Sequence, residues 1–162
     1  MERPPDVDLP AGSITGLSLC SGIGGLELGL SLALGDAYRC LAFAEWGAYG
    51  AAVLATRMEE GLLAPAPIWD DLITFPSALF RGRVSVLSAG FPCQPHSAAG
   101  KRKGTDDERW LWPDISRCIG DVGPEYVFLE NVRPLLRSGF GHVLGDLARL
   151  GFAAEWLSDI GD

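Results

Sequence analysis

A cysteine set between two prolines is the most reactive arrangement in this chain. In Gly90-Phe91-Pro92-Cys93-Gln94-Pro95 the two prolines fix φ on either side of the thiol and push the residues before them toward extended geometry. Cys93 is therefore presented on a stiff turn. Val84 to Leu87 is β-branched and apolar, as a buried strand is, and the run stops at Gly90, so the thiol belongs at the C-terminal end of a strand. In open α/β sheets ligands sit at that edge. The next stretch, Ser97 to Gly104, is small, bounded by glycine and carries Lys101-Arg102-Lys103. A cationic loop beside a thiol suits an anionic substrate. A buried structural cysteine before an ordinary solvated loop would read the same way.

Three other strand ends carry groups that can do chemistry. Ser13 to Leu19 alternates loosely and ends in Cys20-Ser21-Gly22-Ile23-Gly24-Gly25, after which Leu26, Leu30, Ala33 and Leu34 recur at helical spacing. This is a strand, a glycine turn and a helix, and free N–H groups at such a helix start can face a ligand. Glu27 stands where the dinucleotide fingerprint requires its third glycine, so the turn is not that fingerprint. Tyr38 to Ala44 makes a second strand ending in Glu45-Trp46, placed where a ribose-binding carboxylate and an aromatic ring for a base would belong. Core packing of Trp46 is the plainer alternative. Ile68-Trp69 is a short strand ending in Asp70-Asp71, either a solvated pair or an acceptor for an amino group. Tyr126 to Leu129 ends in Glu130-Asn131-Val132, and an acid in an apolar setting there suits a general acid or a donor to a ring nitrogen. Glu130 could equally be an acid at a helix start before Pro134.

The elements that position these groups alternate. Ala48 to Met58 and Arg109 to Ile119 read as helices, Asp106-Asp107-Glu108 suits the start of the second, and Gly123-Pro124 ends it. Val143, Leu147 and Leu150 mark a further amphipathic helix, and Phe152 to Leu157 looks like one more strand. The pattern predicts a doubly wound α/β sheet with no internal repeat.

Composition sets the outer limits. With 162 residues and 48% hydrophobic content the chain can bury one sizeable core, and its 21 glycines fit many tight strand-to-helix turns. A formal charge of −8 excludes a surface that is nucleic-acid footprint throughout. Cys20, Cys40, Cys93 and Cys118 show no C-x-x-C spacing, and His96 and His142 are the only histidines, so no metal site is expected. Reduced thiols fit a cytoplasmic protein. Residues 1–12 read as a flexible leader without an apolar segment, and no run is long enough to span a membrane.

Taken in order, Ser21-Gly22-Ile23-Gly24-Gly25-Leu26-Glu27, Glu45-Trp46, Asp71-Leu72, Gly90-Phe91-Pro92-Cys93-Gln94 with Ser97 and Gly100, and Glu130-Asn131-Val132 resemble the catalytic domain of DNA cytosine-5 methyltransferases. The resemblance runs from about residue 14 to about residue 157 and implies a Rossmann-like fold that uses S-adenosylmethionine. It implies that Cys93 attacks C6 of a flipped cytosine in double-stranded DNA and that Glu130 holds the ring, with Gln94, Ser97 and Asn131 completing the catalytic set. It implies that Ser21, Gly22, Ile23, Gly24, Gly25, Glu45, Trp46, Asp71, Pro92 and Leu111 hold the cofactor, and that the loop from Ser97 to Gly104 closes on DNA. Cys20 departs from the phenylalanine usual before the glycine turn. A larger departure is that no recognition domain, Gln-x-Arg-x-Arg segment or closing helix follows within the 162 residues. Residues 13–162 are therefore expected to be a C-terminally incomplete catalytic domain, either a truncated product or one half of a split enzyme completed by a second polypeptide, in a prokaryotic or phage-infected cell and associated with restriction. A non-catalytic binding fragment is the alternative, and a nicotinamide-dependent oxidoreductase is disfavoured by Glu27.

Overall fold

The computed structural model describes residues 12–92 and 110–157. β1 (Ile14–Leu19) turns into α1 (Gly25–Leu34), β2 (Tyr38–Ala44) leads to α2 (Ala48–Glu59), and β3 (Ile68–Trp69) and β4 (Val86–Gly90) follow. After α3 (Trp112–Val122) come β5 (Tyr126–Glu130), the short α4 (Leu135–Ser138) and α5 (Phe140–Arg149). All pairings are parallel and the order is β3-β2-β1-β4-β5. The chain thus winds outward in one direction from β1 to β3 and in the other from β4 to β5. The order reverses between β1 and β4, which makes their C-terminal ends the switch point of a doubly wound sheet.

Both faces of the central strands are covered, which explains why these strands read as near-continuous apolar runs. On one face Leu17, Leu19, Leu87 and Ala89 meet α3 and α5. Trp112, Ile115, Ile119 and Val122 of α3 form a buried stripe at helical spacing, each large apolar side chain adding about 1.5–3 kcal/mol by leaving water. Trp112 is fixed further by its Nε1, which donates to Asp146 Oδ2 of α5 at 2.7 Å. Tyr38, Cys40, Phe43, Leu54 and Leu63 form a second core on the other face, against α1 and α2. The pairing of β1 with β2 slips by one residue, because Gly16 faces Cys40 whereas Ser18 faces Phe43.

Three expectations are corrected. Phe152 to Leu157 is not a strand: the Phe152 amide donates to Leu147 O at 2.9 Å to close α5, and Trp156 packs edge-on against Phe140 instead of extending along the sheet. The apolar stripe of α1 is also different, since Ala33 is exposed while Leu28, Leu30 and Leu34 touch the second core and the one fully buried residue is Glu27. Helix α3 starts at Trp112, with Pro113 in its first turn, where a missing N–H costs nothing. Asp106, Asp107 and Glu108 lie outside the described residues.

Candidate functional site

The glycine turn departs from β1 through backbone that most side chains avoid. Cys20, Gly22 and Gly24 have φ of 50°, 55° and 76°. Gly24 is needed twice over, because a Cβ there would also lie 2.6 Å from Leu54 Cδ2 of α2. Ser21 pins the turn to the sheet, its amide donating to Ala44 O at 3.1 Å and its Oγ accepting from Ser18 Oγ at 2.8 Å.

Glu45, at the end of β2, organises what surrounds the turn. Its Oε2 accepts from the Gly22 amide at 2.7 Å and its Oε1 from the Gly47 amide at 2.6 Å, so one carboxylate ties the turn to the start of α2. Charge-assisted bonds of this kind are about twice as strong as neutral ones. α2 adds two more constraints. A Cβ on Gly50 would stand 2.8 Å from the Gly22 carbonyl oxygen, so only glycine lets the helix approach this closely. Arg57 Nη1 donates to Ile23 O at 2.6 Å. Gly50, Arg57 and Glu27 were not anticipated from sequence as parts of this site.

The other wall comes from β4 and β5. Gly90 and Glu130 are register partners, and Glu130 Oε2 lies 3.5 Å from where a Cβ on Gly90 would stand, with the Cys20 carbonyl oxygen 4.0 Å from the same point. The bare glycine lets an exposed carboxylate reach across β4 toward the turn. Asn131 Nδ2 donates to Phe91 O at 2.9 Å, fastening the exit of β4 to the exit of β5. Phe91 packs on Trp110 and Trp112 with ring centroids 6.0 and 5.7 Å away, so residues 92 and 110 leave and re-enter the described structure at one aromatic cluster. Cys93, Gln94, Ser97 and the basic loop lie outside the described residues.

Between these walls lies a cleft of about 330 Å³. Its lining joins Ser21, Gly22, Ile23 and Gly25 of the turn to Gly90 and Glu130, with Cys20, Leu26 and Glu27 below. Gly24 is buried beside it. The remaining expected residues sit outside this lining. Trp46 is 85% exposed. Asp71 caps its own turn, its Oδ1 accepting from the Ile73 amide at 2.9 Å and its Oδ2 from Thr74 Oγ1 at 3.0 Å. Leu111 precedes α3 and packs on the main core, and Pro92 is exposed. Burial, then the Glu45 carboxylate, push the Cys20 thiol up from 9.0 to about 12, so it stays protonated at neutral pH. Burial likewise raises Cys40 and Cys118. Among the described residues no cluster of three metal-ligating side chains occurs, and no helix is long and apolar enough to cross a membrane.

Residues 14–157 match the family model for C-5 cytosine-specific DNA methylases. The chain is 35% identical over 150 residues to the type II methyltransferase M.NgoMIV of Neisseria gonorrhoeae, covering 88% of this chain and 44% of that protein. It is 33% identical to the type II methyltransferase M.NaeI of Lentzea aerocolonigenes, covering 89% and 35% respectively. It therefore spans less than half the length of these curated relatives. Among solved structures, the Entamoeba histolytica methyltransferase EhMeth shares the fold, with a TM-score of 0.63 at 16% identity over 85% of this chain and 44% of that one.

Proposed function

The chain belongs to the C-5 cytosine-specific DNA methylase family, and from that membership we propose that it is the cofactor-binding and nucleophile-bearing part of a DNA cytosine-5 methyltransferase. The observation that carries the reading is the meeting of the glycine turn and Glu130 in one cleft at the switch point between β1 and β4. At about 330 Å³ the cleft falls within the roughly 300–1,000 Å³ typical of small-molecule sites.

The residues present fit S-adenosylmethionine. The glycine turn offers backbone close enough for the methionine half, Glu45 still has lone pairs for ribose hydroxyls, and Ile23 and the exposed Trp46 supply apolar faces for adenine, with Asp71 toward its amino group. Pro92 and Leu111 complete that set in this reading. When bound, the cofactor supplies an electrophilic methyl group for C5 of the target cytosine.

Cys93 adds as a thiolate to C6, and the displaced π electrons make C5 nucleophilic. Glu130 holds the ring at N3 and the amino group, stabilising the charge that develops there. Loss of the C5 proton then restores the C5–C6 double bond and expels the Cys93 thiolate. Asn131 keeps the Phe91-Pro92 backbone in place beside Glu130, while Gln94 and Ser97 belong to the loop that closes on a cytosine extruded from double-stranded DNA. Desolvation of Glu130, exposed on the described surface, falls to that closure.

Activity requires the segments that longer relatives possess beyond the aligned region, carried on the same chain or on a second polypeptide. Among the described residues nothing pairs with the outer edge of β5, and its exposed Tyr126 and Phe128 support this. Residues 13–162 are then part of one catalytic domain, acting in the cytoplasm of a restriction-modification host or a phage-infected cell. A second reading, a cofactor-binding fragment without turnover, draws on the same uncovered β5 face.

Trapping on duplex DNA containing 5-fluorocytosine tests the proposal, because fluorine at C5 cannot leave as a proton does. A denaturation-resistant adduct that needs S-adenosylmethionine and is lost in Cys93→Ala is expected once the complementing segments are added. An adduct formed by the chain alone would overturn the requirement for them. Absence of an adduct under every condition would leave the binding fragment.

A further inference from the structure

Helix α2 turns one face to the glycine turn. Gly50, Leu54 and Arg57 recur at i, i+4 and i+7, the spacing of a single helix face, and they meet Gly22, Gly24 and Ile23 of the turn. Gly50 admits the Gly22 carbonyl, Leu54 lies against Gly24, and Arg57 Nη1 donates to the Ile23 carbonyl. Arg57 is an unexpected member of this stripe. The chain has 21 acidic residues against 13 Lys and Arg, and Glu59 and Glu60 lie just beyond it, yet among the described residues its guanidinium makes no ion pair and gives its bond to a carbonyl. Its own backbone is fixed, since the Arg57 carbonyl accepts from the Leu62 and Leu63 amides at 2.9 and 3.1 Å and Leu63 is buried in the second core. The consequence falls on Ile23, which lines the cleft. A peptide group is planar and trans, so with the Gly22 carbonyl against α2 the Ile23 amide faces the other way. Among the described residues that amide has no partner.

We propose that Arg57 is a positioning residue for the cofactor: its bond to the Ile23 carbonyl keeps the turn in the arrangement that offers the Ile23 amide and side chain to the cleft. This rests on the reading of the cleft as the S-adenosylmethionine site. Gly22, with φ of 55°, has no Cβ to restrain it, so the peptide joining it to Ile23 can rotate, and rotation would put a carbonyl where the amide now stands. An amide donates to an anionic group of the methionine half, whereas a carbonyl repels one. Glu45 holds the peptide before this one and Arg57 the peptide after it, so the middle one cannot turn alone. Gly50 permits the arrangement, and Arg57 enforces it.

Calorimetric titration of the 162-residue chain with S-adenosylmethionine and S-adenosylhomocysteine tests this, beside urea unfolding and hydrogen exchange at the Gly24 amide, which donates to Ser21 O within the turn. Arg57→Met keeps a long apolar stem and removes the donor. Arg57→Lys keeps a donor, and because one nitrogen carries the bond a lysine can supply it, where at a two-pronged site it could not. Affinity for both molecules should fall by about fivefold in Arg57→Met, at the lower end for a charge-assisted bond on an exposed rim, and return to within about twofold in Arg57→Lys. Gly24 should exchange faster in Arg57→Met alone, while the urea midpoint holds in both variants. Unchanged affinity in Arg57→Met would overturn the inference. So would an Arg57→Lys as weak as Arg57→Met, or a loss of affinity matched by a loss of urea midpoint, which would reduce Arg57 to a structural role. If the unaltered chain binds neither molecule, the reading of the cleft fails first and the inference falls with it, whatever Gly24 shows.

Discussion

On the β2 side of β1 the strand ends are tied down by side chains that the chain itself supplies, whereas on the β4 side the corresponding groups stand open. Glu45 holds two backbone amides, Gly50 admits α2 against Gly22, Arg57 secures Ile23, and Arg117 of α3 donates to the Leu72 and Ile73 carbonyls beyond β3. Across the switch point Glu130 is exposed, and Tyr126 and Phe128 on the same strand are 67% and 50% exposed. The difference separates two tasks. Under the proposed function, the half that would hold the cofactor is braced in advance, and the half that would meet DNA and complementing segments is the exposed one.

The sharpest way to break this comparison is to strike the braced half. Gly24→Ala forces a Cβ onto a φ of 76° and into Leu54, and should cost about 3 kcal/mol, the sum of a left-handed penalty and overpacking, in urea unfolding. A loss below about 1 kcal/mol would mean that the turn is not rigid. Glu45→Gln should weaken S-adenosylmethionine binding by about tenfold, since both amides lose their anionic acceptor and one of them meets an NH2 donor instead, at about 1–3 kcal/mol for a group left unsatisfied. Unchanged binding would show that the turn holds its shape without the carboxylate.

Alkali offers a graded test on the braced side. The Cys20 thiol is raised from 9.0 to about 12, so the protonated form is favoured by the fold. Its stabilisation is complete below the unfolded value of 9.0 and drains away as pH rises toward about 12. Unfolding free energy should therefore fall over that window, and Cys20→Ser should flatten part of the slope. Ellman's reagent at neutral pH should leave Cys20, Cys40 and Cys118 unmodified in the folded chain. The smallest effect belongs to the open half. Phe128→Lys should change the stability of the chain by no more than about 0.5 kcal/mol, yet abolish complementation in the trapping assay. A larger loss would mean that β5 is already covered.

Much of the architecture was legible because each element obeyed its local rules. Tyr38 to Ala44 and Ile68-Trp69 are strands with the boundaries that their apolar runs and flanking breakers imply. The glycine turn, Glu45, Gly90 and Glu130 could be placed because each follows a buried run, and strand ends converge in this topology. What stayed hidden depends on long-range packing. Glu27 looked like a failed glycine of another motif, because nothing local says that an acid in the first turn of an apolar helix will turn inward to a serine on another strand. Gly50 in an alanine-rich helix gives no sign that a carbonyl waits against it. The extended look of Phe152 to Leu157 misled for the converse reason, since packing against α5 overrode a strand propensity that is only local.

The slip between β1 and β2 decides which face of the sheet each later residue of β2 meets. Before it Tyr38 and Cys40 face the helices α1 and α2, and after it Phe43 faces them too, although 40 and 43 differ by an odd number. The extra residue changes the phase of the strand, so that Ala42 and Ala44 turn to the opposite core. Glu45 inherits the new phase and meets Gly22 on the α2 side. Deleting one residue from Leu41-Ala42 would keep the strand's composition and hydrophobicity almost intact, yet aim the carboxylate at the wrong face. In this strand, counting matters more than chemistry.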